Sequence, residues 1–184
     1  MKKELSTGFD ARQYMKSEDF EIFYYKDTSL SHVEPHAHDY YEFYFFLEGQ
    51  AEYLLGNQLH HLEPGDYLLI PPGILHNAEK VSSSLPYRRF VLGFSRPFFH
   101  SLCQEDSEGF GYAFRLAQER KGLHLKTDSI TAQETLGLLM EIMEEKQGAR
   151  PFRSITLRLG ICSFLVYLNR LTYDLEPPLS ASYE

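Results

Sequence analysis

The chain has 184 residues, 43% of them hydrophobic, which is enough for one main domain to bury a core of its own. A formal net charge of −8 excludes a phosphate-binding surface of the kind nucleic acid requires, because that affinity comes from clustered Lys and Arg. No apolar run is long enough for a membrane-spanning helix, and the basic start MKKELSTGFDARQYM has no apolar stretch behind it, so no membrane partner and a cytoplasmic location are expected.

Residues 1–16 carry little periodicity and read as an N-terminal arm. Residues 17–95 hold short runs rich in Phe, Tyr, Val, Ile and Leu, from DFEIFYY (19–25) to YRRFVLGF (87–94), separated by EGQ, LGNQ, EPGD, PPG and SSSLP. Closely spaced strands with Gly, Pro and Asn turns predict a sandwich or a barrel. The aromatic content of 15% fits the same reading, since such side chains favour pleated, half-buried surfaces.

Within this region HAHDYYEFYFFLEG (36–49) is apolar on both faces of a strand. Alternation puts His36, His38, Tyr40, Glu42, Tyr44 and Phe46 on one side and Tyr41, Phe43, Phe45 and Leu47 on the other. If the first set lines a barrel interior, the second needs a cover, and helices later in the chain can supply it. The next strand would add Ala51, Tyr53 and Leu55 to the interior. Flat aromatic faces with a few polar tips suit a sugar or other small polar ligand, although the same aromatics can also fill a small barrel and leave no cavity.

After Phe94 the pattern turns helical. RPFFHSLCQE and YAFRLAQERKG read as short helices, and residues 128–147 as a longer one, opened by a Thr131–Glu134 capping box and ended by Gly148. Pro151 suits the first turn of a last helix that runs to about Tyr173. This helix is apolar nearly all round, with Ile155, Leu159, Cys162 and Val166 on one stripe and Leu157, Ile161, Phe164, Leu165 and Leu168 on another. One contact face cannot bury both, so the helix is either sandwiched within its own subunit or also meets a second one. For a homodimer, Leu157, Ile161, Phe164 and Leu168 are the expected interface, with Ile155, Leu159 and Val166 facing home. Residues 96–173 thus form the expected helical dimerisation segment, and residues 174–184, ending in PPLSASYE, read as the start of a linker.

The chemistry concentrates on histidines. His36, His38 and Glu42 lie at i, i+2 and i+6 of a strand-like segment, and His76 follows the Pro71-Pro72-Gly73 turn. Three imidazoles and a carboxylate converging in a barrel suit one divalent transition metal, Zn, Ni, Fe or Mn, with positions open to water or ligand. The same groups can also serve without metal, bonding one another, water or an effector. His60 and His61 read as surface residues, and His32, His100 and His124 as structural histidines with no partner in sequence. Cys103 and Cys162 are far apart and match no zinc spacing. No nucleophile constellation stands out, Ser82, Ser83 and Ser84 forming a loop, so no catalytic residue is assigned.

HxHxxxE followed after six residues by Gly (His36, His38, Glu42, Gly49) is similar to the first cupin motif, and the spacing of Gly65, Pro71, Gly73 and His76 is similar to the second. The sequence departs from the pattern at Leu30 and Lys80, where a glycine and an asparagine are usual, although Asn77 adjoins His76. Over residues 20–172 the chain most resembles the cupin-type N-terminal effector-binding and dimerisation domain of AraC-family transcription regulators. That resemblance implies a mainly β fold, a double-stranded β-helix (cupin or jelly-roll barrel) followed by C-terminal α-helices packed on its outside. It implies a small-molecule effector bound around His36, His38, Tyr40, Glu42, Tyr44, Phe46, Tyr53 and His76. DNA would be met only through a C-terminal helix-turn-helix domain beyond these residues. The alternatives are a metal-dependent cupin enzyme (dioxygenase, isomerase or lyase) and a stand-alone sugar-binding cupin; the long helical segment, which small catalytic cupins do not need, speaks against the enzyme.

Overall fold

The computed structural model describes residues 6–8, 13–28, 33–82 and 85–177. Most of the expected arm, residues 178–184 of the expected linker, Leu30, His32, Ser83, Ser84 and the side chain of Lys80 lie outside the described residues. The strands are β1 (Phe20–Asp27), β2 (Tyr40–Glu48), β3 (Ala51–Leu55), β4 (Gln58–Leu62), β5 (Tyr67–Ile70), β6 (His76–Val81), β7 (Tyr87–Ser95) and β8 (Leu123–Leu125). The helices are α1 (Arg96–Glu105), α2 (Ser107–Glu119), α3 (Ser129–Gln147) and α4 (Arg153–Leu175).

The strands pair antiparallel into a five-stranded sheet, β1-β7-β2-β5-β8, and a three-stranded sheet, β4-β3-β6. The two sheets enclose an aromatic interior, and all four helices follow β7 in the chain: a cupin barrel with helices packed on its outside. Gly49 turns β2 into β3 at φ +122°, and a Cβ there would sit 3.1 Å from the carbonyl of Pro86, so the motif's glycine is required by backbone shape and by space.

β2 is apolar on both faces because both are dry. Its inward Tyr44 and Phe46 pack with Tyr53, Leu55, Leu68, Ile70 and Tyr87 inside the barrel. Its outward Phe43 and Phe45 belong to a second core with Phe90, Leu92 and Phe94 of β7 and with Phe99, Phe114, Phe164 and Leu168 of the helices. Phe and Leu side chains of this size each contribute roughly 1.5–3 kcal/mol when fully buried, so the helical cover is a large part of what holds the sheet.

Helix boundaries follow the caps. Ser95 caps α1 and Asp106 caps α2, each side chain accepting backbone N–H groups of the first turn. α3 spans almost the expected 128–147, but its cap is Asp128, which accepts from Thr131 N at 2.8 Å, rather than the expected Thr131–Glu134 box; a carboxylate also favours the positive end of the helix dipole. α4 opens at Arg153 rather than Pro151, because Phe152 takes the left-handed conformation (φ 63°) and breaks the turn.

The two stripes of α4 are the reverse of the expected arrangement. Ile161, Phe164, Leu165 and Leu168 are fully buried in their own subunit, and Leu157 is half-buried against the same core. Ile155 and Leu159, expected to face home, are exposed. The physical reason is polar. Asn169 and Thr172 lie on the Phe164 side, and Asn169 accepts from Ala113 N at 2.7 Å while donating to Gly109 O at 2.6 Å. Those two backbone groups are an i, i−4 pair of α2, so Asn169 inserts into the α2 ladder and fixes which face of α4 turns inward.

Candidate functional site

The barrel interior keeps a cavity of about 110 Å³ between the sheets. His36, Tyr40, Glu42, Tyr44, Tyr53 and His76 of the predicted set line it. Phe46 does not; it sits behind the cavity in the buried barrel core. His38 is buried beside the cavity, stacked on Tyr40 with centroids 3.6 Å apart and bonded through Nε2 to Glu42 Oε2 at 3.1 Å.

A backbone bridge joins the two motifs: His36 N donates to His76 O (3.1 Å) and His76 N to His36 O (2.9 Å), placing their rings 4.5 Å apart. Each imidazole spends Nδ1 on the carbonyl two residues earlier, Glu34 O at 3.0 Å and Ile74 O at 2.8 Å. A carbonyl can only accept, so in both rings Nδ1 carries a proton and Nε2 is left facing its surroundings. Burial pushes the His76 pKa down to about 4, so this ring is neutral at physiological pH. For Glu42, burial works against ionisation, but the hydrogen bond from His38 and the surrounding histidines outweigh it and hold the carboxyl below its ordinary range.

The ligating atoms of His38, Glu42 and His76 all lie within 4.8 Å of one another. His36 borders this group through its ring contact with His76 and is only half-buried. Two imidazoles and a carboxylate at this separation fit a first-row divalent ion. The buried His38 Nδ1 and Asn77 Oδ1 have no hydrogen-bond partner among the described residues, and Asn77 Nδ2 is committed to Val33 O at 3.0 Å. The histidine end of the cavity is therefore rich in acceptors.

The opposite end was not legible in the motifs. β1 contributes Glu21, Phe23 and Tyr25, and β7 contributes Tyr87, Arg89 and Val91. Arg89 is buried, donates to Asp27 Oδ2 at 2.6 Å, and lies over the rings of Tyr25 (4.7 Å) and Tyr87 (4.3 Å). Tyr44 and Tyr87 meet hydroxyl to hydroxyl. Burial pushes the phenols of Tyr44, Tyr53 and Tyr87 upward, so all three stay neutral and can donate or accept. The available signal was the alternation of β1 and β7, but FEIFYYKD is aromatic in both phases and does not announce which phase points inward.

Elsewhere, His100 is exposed and meets Tyr41 Oη at 3.1 Å, while His124 is held by buried Asp66 at 2.8 Å. His61 is exposed, as expected of a surface residue, but His60 is half-buried and contacts His124 at 3.1 Å.

A barrel with an aromatic, polar-tipped cavity and helices closed over its outer face defines a ligand-sensing domain of the cupin class. Residues 19–159 match the family described as the AraC-like ligand binding domain, and the chain belongs to that family. Compared by sequence, it matches no curated protein. By structure it is similar to apo ToxT of Vibrio cholerae, with a TM-score of 0.55 and 13% identity over 88% of this chain and 60% of that one. It is also similar to the AraC-like transcriptional activator CuxR (TM-score 0.43, 12% identity, 72% of this chain and 42% of that one). A third likeness is to an RmlC-like cupin of Methanocaldococcus jannaschii (TM-score 0.39, 14% identity, 53% of this chain and 94% of that one). The ToxT likeness shows the fold, and this chain spans less than two thirds of either regulator. Among the described residues no helix is long and apolar enough to cross a membrane.

Proposed function

We propose that the domain senses a small polar molecule inside its barrel and passes the signal through its helices to a DNA-binding domain beyond these residues, in a cytoplasmic transcription regulator. The observation that carries this reading is the cavity itself, which the interior aromatics surround without filling. The acceptor-rich histidine end and the phenol and guanidinium end offer complementary bonds to a ligand with several hydroxyls, and tyrosine faces can stack on a sugar ring. A path outward exists because Tyr44, in the cavity, and Phe43, against α4, are adjacent on β2.

His38, Glu42 and His76, with His36 at the rim, are the residues that would hold a divalent metal, which when bound would offer a Lewis-acidic position to a ligand oxygen. That donor set is the observation favouring a second reading, a metal-dependent cupin enzyme. The helical segment and the family favour sensing. In this reading the acidic chain binds DNA weakly by itself, and it pairs with a second copy through α4.

The test is a thermal-shift screen with monosaccharides, sugar acids and other small polar compounds, followed by mass spectrometry of the recovered ligand. A sensor is stabilised by its ligand and returns it unchanged, and Tyr53→Trp, which fills the cavity, abolishes the response. Turnover of the ligand in the presence of Zn, Ni, Fe or Mn would establish the enzyme instead. A filled-cavity variant that responds like the wild type would place the site elsewhere.

A further inference from the structure

A second histidine cluster lies outside the barrel cavity. His60 on β4 and His124 on β8 approach with Nδ1 atoms 3.1 Å apart and rings inclined at 79°. β4 belongs to the three-stranded sheet and β8 is the edge of the five-stranded one, so the pair spans the two sheets. Two glycines allow the approach. A Cβ on Gly56 of the β3–β4 turn would lie 2.7 Å from Lys121 O, and a Cβ on Gly122 would lie 2.5 Å from Leu55 Cγ. Both have positive φ (62° and 108°), so these turns can touch only where no side chain intervenes.

His124 is oriented from behind. Its Nε2 donates to Asp66 Oδ2 at 2.8 Å, and the same oxygen accepts from Glu63 N at 3.0 Å. Asp66 is buried, and its carboxylate takes the Nε2 proton side, leaving Nδ1 of His124 with its lone pair turned to His60. This is the carboxylate–histidine arrangement that supports metal-ligating imidazoles from the outer shell.

We propose that His60 and His124 form a second divalent-metal site, separate from the barrel cluster, binding a transition-metal ion such as Zn²⁺ through their two Nδ1 atoms. Two nitrogens on a tetrahedral Zn²⁺, each roughly 2.0–2.1 Å from it, stand about 3.3 Å apart, so the ion needs a small widening of the observed 3.1 Å and a turn of both rings that swings their Nδ1 lone pairs off the N···N line toward it. Without metal, His60 Nδ1–H donates to His124 Nδ1. The ion replaces that hydrogen as His60 moves its proton to Nε2, and no net proton is lost. The remaining positions open onto a cleft of about 410 Å³ lined by the amides of Asn57 and Gln58. Of the cations there, Arg120 is paired with Glu176 at 2.9 Å, and Lys121 follows the C-cap of α2, at the carbonyl end of that helix. The bound ion ties the two sheets together at this edge. The inference does not depend on the barrel being a sensor.

Zn²⁺ titration calorimetry of the full chain tests it. The wild type should bind one more ion per chain than His60→Ala, while the barrel variant His36→Ala/Glu42→Gln keeps that ion. Zn²⁺ should raise the melting temperature of the barrel variant, and it should shift the imidazole nitrogen resonances of His60 and His124. Asp66→Asn should weaken the site about 10–100-fold, the effect expected of an outer-shell partner. If wild type and His60→Ala bind the same number of ions with the same affinity, or if the two imidazoles do not respond to Zn²⁺, the pair is an ordinary imidazole–imidazole hydrogen bond and the site does not exist.

Discussion

The ring of Phe43 on β2 meets that of Phe164 on α4 edge to face, with centroids 5.0 Å apart and planes at 74°. This contact joins the strand that lines the cavity to the helix that covers it. Both rings are fully buried, so Phe164→Ala leaves a cavity that the surrounding aromatics cannot close. We expect a loss of about 3–5 kcal/mol in urea unfolding, whereas the same change at exposed Phe152 stays within about 0.5 kcal/mol.

Acidification should destabilise the metal-free domain through His76. Its pKa is about 4 when folded against an ordinary 6.5, so the unfolded chain takes up the proton first as the pH falls. The associated stability is fully present above pH 6.5 and is lost progressively down to about pH 4. The full window corresponds to roughly 3 kcal/mol. Glu42, whose carboxyl is held low, adds a further loss that begins only near its ordinary value of 4.5. Urea midpoints measured in a chelating buffer from pH 7.5 to 5 should therefore fall in the wild type and stay flatter in His76→Gln. Equal slopes in the two proteins would show that the ring is not held neutral.

How far the sequence revealed this arrangement depended on whether a feature was local. The strand pattern, the spacing of His36, His38, Glu42 and His76, and the need for a cover over Phe43 and Phe45 follow from period-two alternation and motif order; the structure has the strands and the cover, and it gathers His38, Glu42 and His76 with His36 at their border. The inward face of β1 and β7 was hidden because aromatic residues occupy both phases, so Arg89 and Tyr87 emerged only from pairing register. The orientation of α4 was hidden for a different reason. Both stripes are apolar, and the choice is made by Asn169 reaching α2, a contact across 56 residues that no local pattern records. β8 is three residues long and carries no periodicity of its own, so the meeting of His124 with His60 depended on a pairing with β5 that the sequence does not announce.

Arg89 and Asp27 form an ion pair whose side chains are 4% and 18% exposed. Removing one partner of a pair this enclosed leaves the other charge with little solvent, and Asp27→Ala should cost about 3–5 kcal/mol. Replacing both with apolar residues should cost much less, since the stranded charge is then gone. A double-mutant cycle with Arg89→Met and Asp27→Leu in chemical denaturation distinguishes these cases. Additive losses would mean that the pair is solvated in solution and that Arg89 is not a fixed feature of the cavity.

The exposed stripe of α4 determines the last prediction. Ile155 and Leu159 are 51% and 60% exposed and stand at i and i+4, so they lie along one side of the start of a helix about 34 Å long. Half-buried Cys162 and Val166 continue the same line. A stripe that self-complements across a two-fold axis is the simplest cover for such a patch, and an antiparallel pair of α4 helices would supply it. Ile155→Glu/Leu159→Glu should convert a dimer to monomers in light scattering while leaving the melting temperature of the subunit nearly unchanged. Ile161→Glu/Leu168→Glu should instead unfold the subunit, because those positions belong to its core. A wild-type protein that stays monomeric at high micromolar concentration, or a dimer indifferent to the Ile155 and Leu159 changes, would remove α4 from the interface.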